Sequence, residues 1–70
     1  MFKFNKGDLI RDRIYTEDVA LIFDASPLEY EPAVFGLHWI AGKTAGQATY
    51  ELQEEVEKDF ELLSACKVNL

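Results

Sequence analysis

Residues 33–40, AVFGLHWI, divide their side chains between two faces when read with a period of two. Ala33, Phe35, Leu37 and Trp39 share one face; Val34, Gly36, His38 and Ile40 share the other. Both sets are mostly apolar, so the pattern predicts a central strand covered on both sides, with Gly36 admitting a bend or bulge. Residues 19–25, VALIFDA, form a short apolar run rich in β-formers. That run is too short for an ordinary helix and predicts a second strand. Another strand is expected near 8–14, entered through Asn5-Lys6-Gly7-Asp8, where Gly7 supplies the permissive backbone of a tight turn. The polar YTED at 15–18 reverses the chain. Residues 26–32 carry Pro27 and Pro32 and read as a loop, because proline removes a ladder donor and biases Ser26 and Glu31 away from helix. Residues 47–52 set Ala48, Tyr50 and Leu52 against Gln47, Thr49 and Glu51, the pattern of a half-buried strand.

The C-terminal third supports two readings. Leu52, Val56, Phe60 and Leu63 fall at helical spacing among glutamates that favour helix. Phe60, Leu62, Ser64, Cys66 and Val68 also line one side of an extended segment. The preferred reading is a short acidic helical turn near 53–58 followed by a last strand at 60–68. The alternative is a four-stranded sheet with one continuous helix over 49–64, an α+β fold. Short strands at this turn spacing otherwise predict a mainly β fold of five strands in a small, strongly bent sheet or barrel, since closure removes adhesive edges.

Size and composition set limits on this picture. Seventy residues form one domain, 1–70, and 49% of them are hydrophobic, including nine aromatics. The core of such a chain is small and its stability marginal. A single cysteine excludes an internal disulfide and fits a reducing compartment. Met1 to Gly7 leads directly into a charged segment rather than a secretory signal. No apolar run approaches the roughly 18 residues of a membrane span. The expected location is therefore cytoplasmic.

Charge is unevenly distributed. Segment 51–61 opposes six carboxylates with Lys58 alone, which accounts for −5 of the chain's net −6. The first 14 residues carry Lys3, Lys6, Arg11 and Arg13 against Asp8 and Asp12. An acidic balance disfavours nucleic-acid binding, which needs cations to displace phosphate counterions.

Four groups of residues invite chemistry. Gly42-Lys43-Thr44 resembles the end of a phosphate-binding loop. Such a loop needs four spacers after its first glycine and a helix at its end, yet Gly36 stands five spacers upstream and a strand pattern follows Thr44. The segment is therefore expected to be a hairpin turn with Lys43 solvated at its tip. His38, inside an apolar strand, is expected to be structural, its ring nitrogens satisfied by backbone or a carboxylate. Cys66 could face His38 as nucleophile and base, but no orienting group is evident, and a small half-buried thiol is expected. The acidic run lacks the rhythm of a calcium loop and reads as a solvated face. No catalytic residue, cofactor or metal site is expected. Tyr15 and Tyr30, placed in loops, are the candidate exposed aromatic anchors, and Glu54, Glu55 and Glu57 the candidate acidic contacts.

FNKGDLIRDR leading to VALIFDA, then VFGLHWIAGKT and a terminal DFELLS, resembles small SH3-like barrel proteins of the kind found in tailed bacteriophages. The resemblance covers most of residues 2–64 and implies a five-stranded barrel without catalytic residues. It implies a non-enzymatic protein-interaction module, a structural or accessory component of the virion, using loop aromatics and edge strands. Other virion subunits, a host enzyme or further copies of the chain would be its partners, in the host cytoplasm or the virion. A second expectation is an inhibitor of a host enzyme that binds through the acidic face 51–61. A third is a nucleic-acid-binding barrel using Lys3, Lys6, Arg11 and Arg13.

Overall fold

A computed structural model describes residues 4–25 and 33–65. Its first element follows from the Asn5–Asp8 turn. Asn5 N–H donates to the Asp8 carboxylate at 2.8 Å, and Asp8 N–H returns to the Asn5 carbonyl at 3.0 Å. Gly7 takes φ 95°, as the turn requires. Strand β1 (Leu9–Asp12) follows and is shorter than the 8–14 predicted. Asp12 ends it: one carboxylate oxygen accepts the N–H groups of Ile14 and Tyr15 at 2.8 and 2.9 Å. This side-chain turn competes with the ladder and releases Ile14 to solvent.

Strand β2 (Val19–Ala25) occupies the residues expected of it, and β3 (Val34–Ala41) is the longest strand. Strand β4 is Ala48–Leu52, helix α1 is Gln53–Asp59, and β5 is Phe60–Ser64. The strands form one antiparallel sheet in the order β4-β3-β2-β1-β5. The protein is thus mainly β with one short helix, and its 11.5 Å radius of gyration is that of a compact chain of this length.

The continuous helix over 49–64 does not form. Thr49 and Tyr50 pair with Leu37 and Gly36 on β3, while Phe60, Glu61 and Leu62 pair with β1. A seven-residue helix remains between two ladders, too short to stand without packing. Glu54 and Glu55 in its first turn and Lys58 in its last complement the helix dipole. Gln53 anchors its start: the side-chain amide donates to the Val34 carbonyl at 3.1 Å, and its backbone N–H donates to the Ala33 carbonyl at 3.0 Å. The predicted loop 26–32 and positions 66–68 of the predicted last strand lie outside the described residues.

One face of the sheet makes the core. Ile10, Ala20, Ile22, Phe35, Leu37 and Trp39 point inward, where Phe4, Val56 and Phe60 join them. Two face assignments differ from the sequence reading. Strand β3 is buried along its Phe35 side; on the other, Gly36 is covered by Phe23 and Tyr50, but His38 and Ile40 are exposed. Strand β4 is inverted: Ala48, Tyr50 and Leu52 are exposed, whereas Thr49 is half-buried. The reason is its place at the sheet edge, where Thr49 follows Trp39 inward and Tyr50 packs outward on Phe23. The expected irregularity at Gly36 falls on its partner strand. The β2–β3 register shifts between Ile22 and Asp24, so Phe23 is the extra residue. Its ring meets Tyr50 edge-on at 5.8 Å, and both lie close enough to Gly36 that a Cβ there would stand 2.9 and 3.0 Å from them.

Candidate functional site

The β4–α1–β5 connection builds a cleft that no single segment contains. Trp39 of β3 and Phe60 of β5 give it an aromatic floor, their ring centroids 5.9 Å apart and tilted by 52°. Val56 of α1 adds an apolar wall. Glu51 of β4 and Glu55 and Asp59 of α1 complete the lining. The volume is about 210 Å³, below the roughly 300–1,000 Å³ of small-molecule pockets. A single side chain is therefore a better match to this space than a metabolite.

Local structure fixes each group. The Trp39 indole N–H donates to Thr49 Oγ at 2.9 Å, so the only polar atom of the ring is satisfied and its orientation is held. Phe60 caps α1, its N–H bonded to the Val56 carbonyl, and pairs with Asp12 as β5 begins. Glu55 and Asp59 are four residues apart and therefore share a helix face. Like charges at that spacing cost a few tenths of a kcal/mol. Among the described residues no cation pairs with the side chains of Glu51, Glu54, Glu55 or Asp59. An ion pair lies on β1 and β5: Arg11 Nε and a terminal nitrogen both donate to one Glu61 oxygen.

The site residues predicted from sequence do not all converge. Glu54 and Glu55 are exposed and Glu57 is half-buried; of the three, only Glu55 lines the cleft. Tyr15 is 55% exposed on the β1–β2 turn, as expected, and does not line the cleft. Tyr30 lies outside the described residues. Lys43 is not simply solvated: its ammonium stands 5.4 Å from the centre of the Tyr15 ring, an internal cation–π contact. Gly42 through Gly46 form the β3–β4 hairpin turn, closed by Gly46 N–H to the Trp39 carbonyl at 2.8 Å, and β4 rather than a helix follows. Phosphate binding has no framework there.

His38 corrects another expectation. It is exposed on the outer sheet face beside Ala48, and its imidazole makes no hydrogen bond among the described residues. Cys66, its conceivable partner, is outside them. No group of three His, Cys, Asp or Glu side chains is placed to hold a metal among the described residues.

Sequence reasoning placed Trp39 and Phe60 in the core and missed their shared opening. A signal existed: the pair Val56/Phe60 and the pair Glu55/Asp59 repeat at the same spacing, one position apart. On any helical turn that sets an acidic rim beside an apolar wall. No family model matches the chain, and no curated protein or solved structure matches it. Among the described residues no helix is long and apolar enough to cross a membrane.

Proposed function

We propose that this chain is a non-enzymatic protein-interaction module on a small SH3-like barrel, and that it binds a basic partner protein through the β4–α1 surface. One observation carries the reading: Glu51, Glu54, Glu55 and Asp59 lie on that surface, and none of them has an ion-pair partner among the described residues. Uncompensated charge of one sign steers a complementary partner and selects against others. The strand order, with the helix between β4 and β5 and β5 returning beside β1, supports the SH3-like assignment. The phage setting, as virion component or inhibitor of a host enzyme, rests on the sequence resemblance. The nucleic-acid reading loses support because Arg11, one of its four cations, is engaged with Glu61.

The test is charge reversal. With a short arginine-rich peptide spaced by glycine and serine, the wild-type chain should bind at low salt and weaken as salt rises, because screening at 0.1 M already acts within about 10 Å. Replacing Glu54, Glu55 and Glu57 together by lysine should reduce affinity by about a hundredfold or more. Binding that survives the triple reversal, or no binding by the wild type at low salt, contradicts the proposal.

A further inference from the structure

We infer that the Trp39–Phe60 cleft takes the guanidinium of one arginine side chain presented by the basic partner. The inference rests on the acidic-surface reading and adds to it the chemistry of the central contact. Its floor is two aromatic rings, 5.9 Å between centroids, and its wall is Val56. The indole N–H is already taken by Thr49, so Trp39 offers the incoming group only ring surface. Carboxylates come from Glu51 on one element and from Glu55 and Asp59 on another.

A planar guanidinium meets both demands at once. Its face stacks on aromatic rings, and its edge donates to carboxylates through a rigid fork. It is also more weakly hydrated than an ammonium, which lowers the cost of entering a cleft of about 210 Å³. A lysine ammonium is a compact, strongly hydrated charge and would remain at the rim. An anionic side chain would be repelled by the carboxylates, and a neutral one would leave their charge uncompensated.

Trp39 is the sole tryptophan of the chain, so its indole resonance and its fluorescence report the cleft without ambiguity. The experiment titrates two peptides identical but for arginine or lysine at every basic position. The arginine peptide should shift the Trp39 indole N–H resonance saturably, and the lysine peptide should bind at least about fivefold more weakly. Glu55→Gln and Asp59→Asn, each checked for a native amide spectrum, should each weaken the arginine peptide about tenfold, since a charge-assisted hydrogen bond is removed. Glu54→Gln, on the same helix but outside the cleft, should weaken it about twofold or less. Equal binding of both peptides, or a silent Trp39 resonance while the triple charge reversal still abolishes binding, overturns the cleft and leaves the acidic-surface reading standing. Failure of both peptides to bind overturns the two together.

Discussion

Gly42→Ala should lower the free energy of unfolding by about 3 kcal/mol, far more than its position in an exposed hairpin suggests. Two costs coincide there. Gly42 has φ 95°, a conformation that burdens any residue with a Cβ by about 1–3 kcal/mol. The added Cβ would also collide with the Asp18 carboxylate and stand 2.9 Å from Asp18 Cα. Asp18 is buried and its backbone N–H is fixed to the Tyr15 carbonyl at 2.8 Å, so it has little room to retreat. Overpacking of that kind costs about 1–3 kcal/mol. Gly46 in the same turn is the control. Its φ is 90°, but a Cβ would meet nothing within 4 Å. Gly46→Ala should therefore lose only the backbone term, about 1 kcal/mol. Urea unfolding midpoints measure the difference; equal losses would show that contact with Asp18 is not what makes Gly42 a glycine.

Phe35→Ala should cost about 3–5 kcal/mol, the range for emptying a buried aromatic site. Phe35 is fully buried, its ring centre 6.5 Å from that of Phe4, on the strand that lies between β2 and β4. At roughly 0.05–0.15 kcal/mol per residue, a chain of this length has only about 4–10 kcal/mol to lose. The variant should then be substantially unfolded at 37 °C by circular dichroism. Ile40→Ala on the outer face of the same strand should change stability by about 0.5 kcal/mol. Comparable losses at the two positions would mean that both faces of β3 are covered, as the alternation alone predicted.

That contrast shows what the chain makes legible and what it hides. Strand β2 was readable because a seven-residue apolar run between polar turns has no competing helical period. The short helix was readable because glutamates crowd between two extended segments. The inner face of β3 followed from Phe35, Leu37 and Trp39, but nothing along the chain says that His38 and Ile40 on the opposite face meet solvent. For β4 the alternation is real and its direction misled, because an edge strand with Tyr50 on Phe23 can bury aromatic surface without facing the core. Asp12 ended β1 early through a side-chain turn that an apolar count does not register. The cleft was the hardest feature to foresee. It joins Trp39 to Phe60 across 21 positions, and their proximity depends on the way α1 hands the chain back to β1. Its acidic rim was visible as charge; its aromatic floor looked like core.

The outer sheet face also exposes apolar groups, with Ile40 and Tyr50 50% and 60% accessible beside Phe23. Asp24 stands beside them on that face, whereas the β4–α1 surface brings Glu51, Glu55 and Asp59 to one cleft. Mapping a bound arginine-rich peptide by nuclear magnetic resonance decides between the two surfaces. Perturbations should centre on the Trp39 indole and on the amides from Glu51 to Phe60, leaving the Phe23 and Tyr50 rings and the Ile40 methyl groups unchanged. Shifts concentrated on Phe23, Ile40 and Tyr50, with Trp39 unmoved, would contradict the account.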